Sequence, residues 1–191
     1  MMRNPKDQLV SWHNMTSKFP VRPSDPEFQK AFPLDWKEFF EAAISGVQYF
    51  GNKDGEYYLD HLLTWHEHRN DENVLFVVYE DMKKDPAKQI KRIADFLEVE
   101  ISKEDILKVA EATSFQTMKK DTNSILKDMN FFRKGQVGDW KNHFTVAQSE
   151  RIDSMVKEKL AGTNITFTYE LSKSLHLNCF TTRVAELQNK I

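Results

Sequence analysis

Val74-Leu75-Phe76-Val77-Val78-Tyr79 is the stretch that decides the architecture. The run is apolar, rich in β-branched and aromatic residues, and does not alternate with polar ones. Such a run fits a strand covered on both faces inside a parallel sheet. Asp85-Pro86 then opens a helix reaching about residue 97, with Ile90, Ile93, Ala94 and Leu97 on one face. A strand feeding an amphipathic helix is half of a βαβ unit, so an α/β domain is expected. Further out the signals are mostly helical. Asn4-Pro5 puts a capping side chain and then proline at a helix start, and the helix should run toward residue 16. Residues 18–33 hold several prolines and read as loop. Asp35 caps a helix through residue 43, with Trp36, Phe39, Phe40 and Ala43 in register. Residues 51–55 read as a turn, and residues 56–69 as a helix with Tyr58, His61, Leu62 and Trp65 on its apolar face. Ser102 with Asp105, and Thr145 with Gln148, fit capping patterns for helices ending near residue 112 and at residue 162. Residues 165–169 alternate and fit a short strand. One buried strand needs neighbours, so the chain reads as part of an α/β domain whose other strands are missing.

Composition narrows the function classes. With 191 residues the chain suits one ordinary domain. A formal charge of −2 gives no global field for nucleic acid or an anionic membrane, so any anion site has to be local. The lone cysteine, Cys179, has no internal partner for a disulfide, which suits a reducing compartment. No apolar run approaches membrane-spanning length and the N-terminus has no apolar signal region, so the expected location is cytoplasmic. The six histidines show no metal-ligand spacing, and no metal is expected. His61 reads as a packed histidine; Lys83-Lys84 and Lys119-Lys120 read as solvated.

The chemistry concentrates in Phe131-Phe132-Arg133-Lys134-Gly135-Gln136-Val137-Gly138-Asp139-Trp140-Lys141-Asn142-His143-Phe144-Thr145. Adjacent cations beside glycine offer charge, hydrogen bonds and free backbone N–H groups to an anion. A surface turn with two solvated cations is the plain alternative. The longer pattern Phe-Arg-Lys-Gly-x-x-Gly-Asp-Trp-Lys-x-x-Phe-Thr closely resembles the signature of the cytosolic sulfotransferases. That family moves a sulfuryl group from 3′-phosphoadenosine 5′-phosphosulfate (PAPS) to an alcohol, phenol or amine. Arg3-Asn4-Pro5-Lys6-Asp7-x-x-Val10-Ser11 is similar to a second signature of the same family. The resemblance implies that Arg3, Ser11, Arg133, Lys134 and Gly135 hold the 3′-phosphate. On local evidence Arg3-Asn4-Pro5-Lys6-Asp7 opens a helix whose N-terminal N–H groups and dipole suit an anion, and a capped surface helix is the plain alternative.

Two shorter matches accompany these. Tyr79-Glu80-Asp81-Met82 follows the strand, where ligands sit in open α/β sheets, and the resemblance assigns Tyr79 to the adenine. Thr113-Ser114-Phe115 resembles the family's T-S-F, which implies a purine hydrogen bond from Thr113 and stacking by Phe115; a core Phe is the alternative. Lys141-x-x-x-Thr145-Val146-x-x-x-Glu150 is similar to the family's dimer motif. A two-fold pairing would set Lys141 against Glu150 with Val146 at the centre, implying a homodimer. The alternative is a cap at Thr145 with solvated charges around it.

The resemblance covers residues 2 to about 171, as the C-terminal portion of the family's P-loop-like fold. It leaves residues 172–191 as a tail without a reading. The family's P-K-S-G-T-T-W loop and its K-T-H-L-P type segment, which carries the general-base His, are not found in the sequence. The expectation is therefore that the catalytic groups lie upstream of Met1, that the N-terminal strands of the sheet are absent, and that this chain alone is inactive. The acceptor is expected to be a small apolar hydroxyl or amine compound, with Met15 and residues 120–129 near its pocket. The alternative is a catalytically inactive nucleotide-binding or dimerisation module that partners a full-length sulfotransferase.

Overall fold

The computed structural model describes residues 1–19, 22–46, 57–120 and 132–171. The turn at 51–55, the segment 121–129, Phe131 and the tail 172–191 lie outside the described residues. Helix starts follow the capping chemistry of the sequence. Asn4 caps α1 (Pro5–Thr16) by accepting from Asp7 N, with Pro5 in the first turn. Asp25-Pro26 repeats that signal and opens α2 (Pro26–Ala31) inside the stretch expected to be loop. Asp35 caps α3 (Trp36–Ile44), and the Asp60 carboxylate accepts from Tyr57 N at the start of α4 (Tyr58–Glu67).

In the second half come α5 (Tyr79–Lys84), α6 (Pro86–Phe96), α7 (Lys103–Ala112), α8 (Phe115–Lys120) and α9 (Val146–Lys159). Ser102 caps α7, and Thr145 with Gln148 forms the capping box of α9. A short 3-10 turn, Asp139–Asn142, precedes α9.

The core gathers the inner faces of α1, α3, α4 and α9 around Leu9, Phe39, Phe40, Leu59, Leu62, Ile152 and Leu160. Lys159 pairs with Asp60 at 2.5 Å and joins α9 to α4. Arg151 pairs with Glu41 at 2.8 Å and joins α9 to α3. The helices α5 to α8 pack in succession beside this core, with Ala94, Ile106 and Ala110 buried between them.

Several expectations change. Residues 74–78 are extended but partly exposed, and among the described residues they pair only once, through a parallel bridge from Met2 to Val78. Met2 N donates to Val77 O and Tyr79 N donates to Met2 O, each at 2.8 Å. Tyr79-Glu80-Asp81-Met82 is the start of a helix rather than a strand end. Residues 165–169 form no strand. His61 is exposed, and Trp65 is 48% exposed, because α4 buries Tyr58, Leu59 and Leu62 instead.

Candidate functional site

The bridge at Met2 and Val78 sets the next residues of both segments side by side. Arg3 thereby lies over Tyr79, its guanidinium 4.2 Å from the ring centroid. Arg3 Nη2 donates to Gln136 O at 2.9 Å, across a sequence separation of 133 residues. Asp7, fully buried, adds two more ties to the same loop: its carboxylate accepts from Gly138 N at 2.7 Å and from Trp140 N at 3.0 Å. The start of α1 and the glycine loop are thus one structural unit.

Tyr79 collects the charges of the corner. Burial pushes its phenol up, and the positive charges of Arg3 and Arg133 pull the other way. Arg3 thus stacks on Tyr79 and bonds Gln136 of the loop that carries Arg133. Lys83 sits one turn beyond Tyr79 on α5 and is half-buried rather than solvated. Burial and the neighbouring Arg3 charge lower its ammonium pKa. Ser11 and Arg3 line one small cavity of about 130 Å³ together with Gln8, Trp12 and Met15. Two buried polar atoms here, Arg3 Nε and Gln8 Oε1, have no hydrogen-bond partner among the described residues.

The start of α1 offers an anion less than its sequence suggested. Pro5 has no N–H, Asn4 N is taken by Glu80 Oε1 at 2.9 Å, and Asp7 N by Asn4 Oδ1 at 2.9 Å. The charge on offer comes from side chains.

Arg133 and Lys134 are already engaged. Both donate to Asp139, Lys134 at 2.7 Å, and Asn142 Nδ2 adds a third bond at 2.7 Å. Burial would push the Asp139 carboxyl up, but these three donors outweigh it and hold it well below the usual carboxylate range. Gly135 has φ +62 and lies against an aromatic ring: a Cβ there would sit 2.4 Å from Phe115 Cδ2. The glycine admits the Phe115 ring, which also meets Phe132 edge-on at 6.0 Å. Thr113 ends α7 exposed, its hydroxyl donating to Val109 O at 2.7 Å. The structure places Phe115 against the loop, whereas the hydrogen bond of Thr113 is local to α7.

The other sequence-selected set is on the surface. Thr145 is the N-cap of α9, Val146 is 75% exposed, and Glu150 is exposed on the next turn. Lys141 pairs with Glu170 at 2.5 Å.

Sequence reasoning passed over Tyr58, Glu80, Asp7, Asp139 and Lys6. Lys6 is buried between Ser149 (2.7 Å) and Asp153 (2.7 Å), with its ammonium over Trp140. An acid inside a motif of adjacent cations was the available signal for Asp139. Tyr58 and Glu80 gave none, since their partners lie 55 and 76 residues away. Among the described residues, no group of three or more His, Cys, Asp or Glu could hold a metal, and no helix is long and apolar enough to cross a membrane.

A family model described as the sulfotransferase domain matches residues 1–164. Sulfotransferase 1C2 of Rattus norvegicus is 38% identical over 179 residues, covering 88% of this chain and 56% of the relative. Amine sulfotransferase of Oryctolagus cuniculus is 35% identical over 191 residues, covering 92% of this chain and 58% of the relative. The chain thus spans a little over half the length of these relatives. In solved structures, mouse sulfotransferase SULT7A1 complexed with PAP superposes with a TM-score of 0.69 at 34% identity, over 85% of this chain and 58% of that one. Retinol dehydratase in complex with androsterone and inactive cofactor PAP gives 0.70 at 26% identity, over 87% and 48%. By the extent of the family match and the identity of its relatives, the chain belongs to the sulfotransferase domain family.

Proposed function

We propose that this chain carries the donor-nucleotide site of a sulfotransferase. Arg3, Ser11, Arg133, Lys134 and Gly135 hold the 3′-phosphate of PAPS, and Tyr79, Thr113 and Phe115 frame the adenine. The observation that supports this most is the bond from Arg3 Nη2 to Gln136 O at 2.9 Å, which ties Arg3 to the loop carrying Arg133 and Lys134. The residues suit a phosphate dianion in three respects. Arg3 Nε is buried with no hydrogen-bond partner among the described residues, Ser11 shares its cavity, and half-buried Lys83 lies one turn along α5 from the Tyr79 ring that carries Arg3. Asp139 holds Arg133 and Lys134 in fixed directions, so less ordering is left for a ligand to impose. PAPS, when bound, supplies the sulfuryl group; the residues named here bind and orient.

For a protein of the relatives' full length, the proposed reaction is transfer of that group to a hydroxyl or amine of a small apolar acceptor. The catalytic base and the loop around the transferring group are proposed to lie outside the residues named here. Homodimerisation through Lys141, Thr145, Val146 and Glu150 is supported by the exposure of Val146, and a cytoplasmic location by the single cysteine. The same exposure also suits a second reading, a catalytically inactive nucleotide-binding or dimerisation module that partners a full-length sulfotransferase. A sulfation assay separates the two. Calorimetric titration with adenosine 3′,5′-bisphosphate tests the site itself: one nucleotide per chain is expected, and the absence of both heat and a thermal shift would refute it.

A further inference from the structure

Arg3 is the residue on which the proposed anion site turns, and its own backbone is held in an unusual way. A single hydroxyl, that of Tyr58, takes both polar groups of residue 3: it accepts from Arg3 N and donates to Arg3 O, each at 2.9 Å. One carboxylate oxygen, Glu80 Oε1, holds residue 4 by accepting from Asn4 N and from Asn4 Nδ2, each at 2.9 Å. Glu80 and Asn4 are fully buried, and Glu80 Oε2 has no hydrogen-bond partner among the described residues. Burying a carboxyl group with one oxygen unpartnered is costly, so its placement calls for an explanation beyond packing.

The explanation lies in adjacency. Tyr79 and Glu80 are consecutive, and they grip consecutive residues of the other segment: the Tyr79 ring takes the Arg3 guanidinium and the Glu80 carboxylate takes Asn4. Tyr58 closes the remaining freedom at residue 3 from α4. An Arg side chain with a fixed backbone and a stacked head group has little entropy left to lose on meeting an anion.

We propose that Tyr58 and Glu80 are positioning residues that aim the Arg3 guanidinium at the bound anion. This rests on the reading of Arg3 as a 3′-phosphate contact. Neither residue touches the nucleotide; each acts through Arg3.

The test is a set of double-mutant cycles on nucleotide affinity with the full chain. Tyr58→Phe removes only the hydroxyl. In the wild-type background it weakens binding of adenosine 3′,5′-bisphosphate about tenfold, while adenosine 5′-monophosphate, which lacks the 3′-phosphate, is held as before. In an Arg3→Ala background the same change has no effect on either ligand. Glu80→Ala behaves like Tyr58→Phe, and Glu80→Gln, which keeps the accepting oxygen, restores most of the affinity. Equal losses with and without Arg3, or equal losses for both nucleotides, would overturn the inference and leave Tyr58 and Glu80 as structural groups.

A readout without ligand accompanies it. Stacking on Tyr79 displaces the Arg3 Nε–H resonance by ring current, and Tyr58→Phe collapses that displacement; an unmoved resonance overturns the positioning role. If wild type fails to bind the bisphosphate at all, the anion-site reading falls, and the resonance still reports whether Tyr58 places Arg3.

Discussion

Replacing Gly135 by alanine should damage this protein at two points at once, and the structure gives the size of each. The backbone there has φ +62, in the left-handed region that L side chains seldom occupy. Holding alanine in that conformation costs about 1 kcal/mol. The added Cβ would also lie 2.4 Å from Cδ2, 2.6 Å from Cγ and 3.0 Å from Cε2 of Phe115, deep inside van der Waals contact with a rigid ring. Overpacking of this kind costs about 1–3 kcal/mol. The total is about 2–4 kcal/mol, a large fraction of the stability of an ordinary domain. Urea unfolding of Gly135→Ala, Phe115→Ala and the double variant resolves the two parts. Alanine at 115 lacks Cγ, Cδ2 and Cε2, the atoms that meet the new methyl, so the double variant should recover about 1–3 kcal/mol relative to additivity, and the backbone part should persist. The loop carries Arg133 and Lys134, so Gly135→Ala should also weaken binding of adenosine 3′,5′-bisphosphate. A Gly135→Ala protein within about 0.5 kcal/mol of wild type, or a strictly additive cycle, would refute the claim that this glycine exists to admit the Phe115 ring.

Asp139 gives a pH dependence of known sign. Its carboxyl is held below the unfolded value of about 3.9, so its contribution is complete above that pH and is lost as pH falls through its lower folded value. The stability gap between wild type and Asp139→Asn should therefore narrow on acidification below about pH 4, and a pH-independent gap would contradict the ion-pair account. Tyr58 acts at the other end. Burial raises its phenol to about 12, so its contribution is complete below about pH 10 and fades toward pH 12. The gap between wild type and Tyr58→Phe should shrink across that window by up to about 3 kcal/mol, and a constant gap would show that the hydroxyl is not held as described. Light scattering on wild type and Val146→Glu tests the exposed patch: a dimer that becomes a monomer is expected, and two monomers would remove the patch from the account.

The helix starts were legible because their information is local. Asn4, Asp35, Asp85, Ser102 and Thr145 each cap a helix within three residues of themselves. The same signal at Asp25-Pro26 was obscured by surrounding prolines, and α2 was missed for that reason. The apolar run 74–78 was legible as extended chain, but burial depends on neighbours, and the described residues supply only Met2. His61 was misplaced because α4 turns a different face inward than its apolar spacing suggested.

At the site, the cations and glycines were legible from their motifs. Their partners were not. Asp7 reaches a loop 131 residues away, Tyr58 reaches Arg3 across 55, and Glu80 reaches Asn4 across 76. No periodicity encodes such contacts. The Glu80 contact follows from the parallel bridge at Met2, which lays the start of α1 beside the start of α5, and the other two come from packing of α4 and the glycine loop on the same segment.

The central claim is that the two ends of the sequence clasp one phosphate group, and the coupling between Arg3 and Arg133 tests it most directly. Affinity for adenosine 3′,5′-bisphosphate should fall sharply in Arg3→Ala and in Arg133→Ala, and the double variant should lose clearly less than the sum, because both side chains serve the same anion. Strictly additive losses, or affinities that match wild type, would mean that the two arginines do not share a ligand.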